Sequence, residues 1–298
     1  MSQADSLSPS VPLTPEAVPG VALPPRRVLI TRVLAVVAIA GLLFFIAAQG
    51  RSLYQEWNEL RGQQDRIRAS NVIGYPGVQP MLSYAQPPSP WYQNEGKTTR
   101  LWGGWQDGTG HHWFLTETGD VSLERISHPI GRDFFRAIDH PIVEFEGGEI
   151  WARIPEDAPV AGDSLGGVET VYPILVLQKV WIVNDQIRET PFLILFNPYA
   201  AVSEKRVSVY ESKLDGQRLT MGHTGYVHIQ GPMLYDRGTT SLWIPDDDSL
   251  HAVSGAHKGQ RLKRVSHASV VDWSRWSREH PRSRLVIGAD RTRDVPDL

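Results

Sequence analysis

The stretch MLYDRGTTSLW holds polar groups that could do chemistry, set between two apolar flanks. A histidine, His223, precedes it by a short distance and could add a base. The candidate ligand-binding residues are therefore His223, Asp236, Arg237, Thr239 and Ser241. Together they offer an acid, a cation, two hydroxyls and an imidazole, which suits either a polar ligand pocket or hydrolysis.

Three interpretations of this stretch stay open. In a structural one, Gly238 allows a turn, Asp236 accepts backbone N–H bonds in it, and Arg237 pairs with a carboxylate elsewhere. In a second, the five side chains line a ligand pocket. In a third, Ser241 or Thr239 is a nucleophile with a histidine base. The chain lacks a Gly-x-Ser-x-Gly elbow and a phosphate-binding glycine loop, which disfavours the third.

The histidines are poorly spaced for a metal. His223 and His228 would point to opposite faces of one strand, and no His-Glu-x-x-His motif is present. Only distant residues such as His223, His251 and Asp236 could converge on an ion. We therefore predict no metal site and no cofactor.

Composition excludes several classes of function. The 298 residues include no cysteine, so disulfides, thiolate metal sites and cysteine nucleophiles are impossible. The formal net charge is −3, which gives no indication of nucleic-acid binding. The 22 prolines and 26 glycines favour turns and strands over long helices.

The N-terminal part predicts a membrane anchor. Residues 1–27 are rich in Ser, Pro and Ala and are predicted to be disordered. Residues 28–49 form an apolar run that would extend about 33 Å as a helix, enough to cross a bilayer core of about 30 Å. A cleaved signal peptide is the rival interpretation. The arginines nearest the run weakly favour a C-terminal domain outside the cytoplasm, either periplasmic or extracellular.

A short helix and a linker are expected after the anchor. In residues 51–70 the apolar side chains recur near one helical face, which predicts a juxtamembrane stalk helix and allows self-association through it. Residues 71–90 hold many prolines and predict a stiff linker.

The remaining chain predicts a mainly β fold, a β-rich α+β domain of mostly antiparallel hairpins. Residues 91–129 predict a Trp-rich hairpin extension with the turn DGTG, and residues 130–290 a globular domain before a tail at 291–298. The apolar runs VETVYPILVLQKVWIVND and TPFLILFNPY predict strands buried on both faces. A hairpin is expected around Asp215–Gly216 and another around the DDD triplet. SVVDWSRWSREHP predicts one short helix capped by Ser269, with Val270, Trp273 and Trp276 packed inward.

Five pieces in this domain carry a family resemblance. They are AIDHP, VYPILVLQKVWIVND, LYDRGTTSLW, GAHKGQRL and WSRWSREHP, in that order between about residues 130 and 287. The chain resembles the bacterial family called domain of unknown function 3179. Members of that family often have a Cys-Pro-Leu-Cys-like turn, for which this chain has NPYA, with Asn197 and Ala200 at the cysteine positions. The resemblance implies a diverged member and supplies no activity.

Two functions remain as expectations. The first is a membrane-anchored envelope protein that acts as a binding or assembly module, with the lipid bilayer and an envelope protein or a second copy as its partners. The alternative is an envelope hydrolase or metal-dependent enzyme with its site around His223 and residues 236–241.

Overall fold

The computed structural model describes residues 74–78, 86–106, 110–127 and 129–293. The predicted tail (1–27), membrane segment (28–49) and stalk helix (51–70) lie outside these residues, as does half of the predicted linker (71–90), namely 71–73 and 79–85. Residues 294–298 of the predicted C-terminal tail do so too. Within the described residues, no helix is both long and apolar enough to span a membrane.

The described chain is mainly β, with antiparallel sheets, as the sequence predicts. The strands are β1 (Tyr92–Glu95), β2 (Thr98–Gln106), β3 (Gly110–Glu117), β4 (Pro141–Glu144), β5 (Pro159–Leu165), β6 (Val168–Pro173), β7 (Ile182–Ile187), β8 (Thr190–Phe196), β9 (Val207–Glu211), β10 (Lys213–Leu214), β11 (Gln217–Arg218), β12 (Met221–His228), β13 (Gly231–Asp236), β14 (Leu242–Pro245), β15 (Ser249–Ala252), β16 (Arg261–His267), β17 (Ser269–Asp272) and β18 (Arg284–Ala289). The α-helices are α1 (Glu149–Arg153), α2 (Ile174–Val180) and α3 (Trp273–Glu279).

The largest sheet has eight strands in the order β12-β13-β14-β15-β16-β9-β8-β7, and its two edge strands meet. The Asn184 amide of β7 bonds both backbone groups of Met221 in β12, at 2.9 Å to the N–H and 2.8 Å to the carbonyl. The segment before β4 lies along both edges. Asp133 N–H donates to His223 O at 2.8 Å, and Ile138 N–H to Ile182 O at 3.0 Å. The Asn184 amide and the segment before β4 therefore bond backbone groups of the two edge strands that would otherwise stay unpaired.

A five-stranded sheet, ordered β17-β5-β6-β18-β4, shares one apolar core with the large sheet. That core includes Trp243, Trp273 and Trp276, all buried as the sequence predicts. The only parallel pair between named strands in the described residues is β6 with β18. Burial of these large side chains supplies the main driving force for the fold.

In the predicted hairpin region, β2 and β3 pair antiparallel, and the residues between them, 107–109, lie outside the described residues. A third strand, β1, extends it. It packs on the outer face of β12 and β13 through a second apolar cluster: the Phe114 and Tyr235 rings lie 5.2 Å apart, and Tyr226 Oη donates to Trp102 O at 2.9 Å.

One buried run was predicted as strand and is partly helix. Between β6 and β7, residues 174–180 form α2, which follows Pro173 and ends at Trp181 in the left-handed region (φ 58°). Leu, Gln and Lys favour helix, and a short apolar run fits a buried helix as well as a buried strand. TPFLILF forms β8 as predicted.

Two predicted elements, the hairpin at Asp215–Gly216 and the helix from Ser269, are shorter than predicted. The Asp215–Gly216 turn exists, with positive φ at both residues, but it joins only the two-residue strands β10 and β11. The flanking strands β9 and β12 are not neighbours in the large sheet.

Residues 269–272, predicted as the start of a helix, form β17 because they pair with β5. The helix α3 therefore begins at Trp273, and Val270 is 36% exposed. The hairpin around the DDD triplet is confirmed as β14 and β15.

Candidate functional site

Asp236 ends β13 and organises the turn into β14. Its side chain is 1% exposed and accepts the backbone N–H of Thr239 at 2.6 Å. The Thr239 hydroxyl donates to the same carboxylate at 2.8 Å, and the indole N–H of Trp243 donates at 3.3 Å. The interactions predicted for a structural Asp236 are therefore confirmed, since a buried carboxylate is tolerated when its oxygens are hydrogen-bonded.

Ser241 belongs to the same turn and is fully buried. Its Oγ lies 2.6 Å from the Thr239 Oγ1 and accepts the backbone N–H of His257 at 3.1 Å. The His257 ring packs near Trp243 instead, with centroids 6.0 Å apart. The described hydrogen-bond partners of the Ser241 hydroxyl thus include no imidazole nitrogen that could act as its base.

Gly255 shows how closely a neighbouring loop approaches Ser241. Its φ is 81°, and a Cβ added there would lie 2.6 Å from the Ser241 Oγ. The loop that covers the turn therefore needs glycine for two reasons: a backbone conformation that side chains disfavour, and lack of space. The space on the Gly255 side of the Ser241 hydroxyl is therefore filled.

Arg237 points away from this turn and enters an ion cluster. Its guanidinium lies 3.2 Å from Asp133 and 3.4 Å from Asp139. Tyr235 donates its hydroxyl to Asp133, and Asn184 donates to Asp139 at 2.6 Å. Burial and the neighbouring Asp133 raise the pKa of Tyr235 well above its ordinary value, so it stays a protonated donor. The predicted pairing of Arg237 with a distant carboxylate is confirmed.

His223 lies on β12 in a third environment and is 0% exposed. Its Nδ1 accepts the backbone N–H of Gly225 at 3.0 Å, which places the proton of a neutral ring on Nε2. That Nε2 is buried and has no hydrogen-bond partner among the described residues. The rings of Phe135 and Trp181 meet the imidazole edge-on, at 5.5 and 5.2 Å. Burial lowers its pKa to about 3.

The five candidate residues therefore occupy three separate environments. Asp236, Thr239 and Ser241 share one hydrogen-bonded turn, Arg237 belongs to the ion cluster, and no described hydrogen bond links the His223 ring to any of them. Ligand binding by any of the five remains a prediction. Among the described residues, no group of three or more His, Cys, Asp or Glu side chains could hold a metal ion.

Sequence reasoning missed the partners of these residues. Asp133 lies over a hundred positions from Arg237 in the chain, and no local pattern marks it. A second buried ion pair was missed in the same way: Asp185, 1% exposed, accepts Arg284 Nη2 at 2.8 Å and the Tyr172 hydroxyl at 2.9 Å. Asp139 lies within AIDHP, and Asp185 lies at the end of VYPILVLQKVWIVND. Both pieces carry the family resemblance, so that resemblance did mark one carboxylate of each cluster.

Hydrogen bonds of Asn197 hold the NPYA turn. Ala200 N–H donates to Asn197 O at 3.3 Å, and Tyr199 N–H to the Asn197 Oδ1 at 3.1 Å. The Asn197 amide also donates to Gln230 O at 3.0 Å, joining this turn to the one between β12 and β13. An asparagine side chain thus fixes the turn by hydrogen bonds.

Comparison with known proteins gives a family without a described activity. No curated protein and no solved structure matches the chain. The family described as protein of unknown function (DUF3179) matches residues 132–294, more than half of the chain, and includes the large sheet, the ion cluster and the Asp236 turn. The chain therefore belongs to the DUF3179 family.

Proposed function

We propose that this protein is a membrane-anchored envelope protein whose β domain acts as a binding or assembly module. Residues 28–49 are the proposed anchor, and the domain lies outside the cytoplasm. In this proposal the polar residues of the family motifs hold the fold together, and the domain surface makes the functional contacts.

One observation carries the proposal: the groups that hydrolysis needs are committed to internal interactions. Ser241 is buried against Thr239 and His257, and Asp236 uses its oxygens within its own turn. An activated nucleophile needs a base within hydrogen-bond reach and an open face for the substrate. Ser241 has neither, because it is fully buried and no imidazole nitrogen is among its described hydrogen-bond partners, and the exposed Thr239 hydroxyl is itself bonded to the Asp236 carboxylate and to Ser241.

The surface near the NPYA turn supports a binding role. Tyr199 and Ile229 are 62% and 66% exposed, and they lie on the two turns that the Asn197–Gln230 bond joins. Exposed tyrosine and branched aliphatic side chains on neighbouring turns are suited to a protein contact.

An enzyme is the second candidate, and His223 is the observation that favours it. A fully buried imidazole with an unpartnered Nε2 is costly unless something else uses that proton. A metal-dependent or hydrolytic site around His223 and residues 236–241 would require these side chains to move together when a ligand binds.

Membrane orientation is tested by protease accessibility of the full chain in cells. We expect the β domain to be digested from outside while the inner membrane is intact. A domain that resists protease until the inner membrane is broken would overturn the envelope assignment.

Assembly is tested by extracting the full chain from its native membrane with a mild non-ionic detergent and measuring its size by native electrophoresis. We expect a complex larger than the monomer. A monomer alone under all mild extraction conditions would contradict a role in assembly.

A further inference from the structure

The five-stranded sheet has an unpaired edge at β17. Within the described residues β17 pairs only with β5, with Asp272 opposite Pro159. One residue further on, Trp273 N–H donates to Ala158 O at 2.9 Å, so that pair is a hydrogen-bonded one. Pro159 has no N–H to donate, which agrees with its place in a non-hydrogen-bonded pair.

Alternation then fixes where the other backbone groups of β17 point. Ser269 and Val271 form hydrogen-bonded pairs with β5, whereas Val270 and Asp272 direct their N–H and C=O away from it. No described residue forms a backbone hydrogen bond with Val270 or Asp272 on that side. The edge therefore presents two donors and two acceptors in the spacing of a strand.

A groove of about 430 Å³ runs beside this edge, and consecutive residues 267–271 form one side of it. Trp276 and His280 of the α3 region also line it, with ring centroids 4.1 Å apart. Glu204, from the short 3₁₀ turn Ser203–Lys205, is another lining residue. The groove thus joins apolar surface to an exposed strand edge.

We propose that an extended segment of a partner polypeptide binds in this groove as an additional strand beside β17. This inference rests on the proposed binding function and identifies its surface. The groove alone would suit a small ligand, but unpaired main-chain groups along one side select another main chain. Main-chain bonds to Val270 and Asp272 supply affinity, and side-chain contacts with Val270 and Trp276 supply selectivity.

Charge indicates one feature of the bound segment. Of the two glutamates lining the groove, Glu279 pairs with Arg275 at 3.1 Å. Glu204 has no cation within ion-pair distance among the described residues. A segment with an apolar residue facing Trp276 and a lysine or arginine facing Glu204 complements the groove.

The first test compares Val270→Pro with Val270→Thr in the full chain in its native membrane. Proline removes the outward N–H and is tolerated on an edge strand, whereas threonine keeps the N–H and the branched shape. A benzophenone amino acid at position 269, which lines the groove but has no role in the proposed recognition, reports occupancy by photocrosslinking, with the crosslinked peptides sequenced. We expect crosslinks to one contiguous partner segment, with a yield about tenfold lower in the proline variant and nearly unchanged in the threonine variant.

Equal crosslinking in the two variants would overturn main-chain recognition. So would the absence of crosslinks when native electrophoresis still shows a complex, and in that case the proposed function stands while the groove inference fails. If the unmodified chain forms no complex, the proposed function itself fails.

Amide hydrogen exchange keeps the inference testable if the proline variant does not fold. The unmodified chain is measured in its complex and again after the complex is dissociated. We expect exchange at Val270 and Asp272 to be at least tenfold slower in the complex, while Ser269 and Val271, already bonded to β5, change little. Identical rates at Val270 and Asp272 in the two states would overturn the proposal.

Discussion

Replacement of Asp236 tests whether the carboxylate is structural. In Asp236→Ala, the backbone N–H of Thr239 and the indole N–H of Trp243 lose the acceptors they have at 2.6 and 3.3 Å. The Thr239 hydroxyl retains the Ser241 oxygen at 2.6 Å. The buried indole N–H of Trp243 is then left without an acceptor, and the turn loses the bond from the Thr239 N–H to a carboxylate. We expect a loss of about 2–4 kcal/mol in the free energy of unfolding.

Asp236→Asn separates shape from charge. Asparagine keeps one oxygen acceptor in the same place and has an amide NH2 group in place of the other oxygen. Either the Thr239 N–H or the Trp243 indole N–H therefore loses its acceptor. We expect a smaller loss of about 1–2 kcal/mol. Asp247→Ala, at the exposed tip between β14 and β15, is the matched control and should change stability by less than about 0.5 kcal/mol.

Thermal unfolding of the full chain in detergent, followed by tryptophan fluorescence, measures these differences. For a domain of this size 1 kcal/mol corresponds to roughly 2–4 °C, so Asp236→Ala should lower Tm by roughly 5–15 °C. Unchanged melting temperatures for both Asp236 variants would refute the structural assignment.

Three further changes test other parts of the structure. Trp243→Ala removes a fully buried indole from the main core and should cost about 3–5 kcal/mol by denaturant unfolding; an unchanged midpoint would show that the core is misplaced. Arg284→Ala leaves Asp185 buried without its cation and should cost about 3–5 kcal/mol, with little effect seen only if that pair is absent. Because burial lowers the His223 pKa from 6.5 to about 3, stability should be complete above pH 6.5 and fall as the pH drops toward 3. At pH 5 the loss is about 2 kcal/mol, measured by denaturant unfolding, and His223→Gln should flatten this dependence; an equal slope in the variant would contradict it.

Local signals in the sequence predicted local structure well. The DDD triplet and Asp215–Gly216 each lie between short antiparallel strands, because turn chemistry acts over a few residues. The same locality explains the error at Asp215–Gly216. The turn dictates pairing only for its nearest neighbours, and the large sheet decides where β9 and β12 go.

The candidate site shows the corresponding limit. The turn around Asp236 was predictable because Thr239 and Ser241 are near in sequence. The ion cluster was not, because Asp133 reaches Arg237 only after the segment before β4 is laid along the edge of β12. Sequence spacing identifies partners within a turn. It does not identify partners that only the pairing of distant strands brings together.

The central claim is that the polar turn around Asp236 is structural and that the domain works by binding. Covalent labelling of Ser241 tests it most directly. The full chain in its native membrane is treated with a fluorophosphonate, which reacts with activated serine nucleophiles, and the Ser241 peptide is examined by mass spectrometry. Because Ser241 is buried and has no imidazole partner among its described bonds, we predict no label on it and an unchanged native complex in Ser241→Ala. A labelled Ser241 would contradict this account and favour the hydrolase.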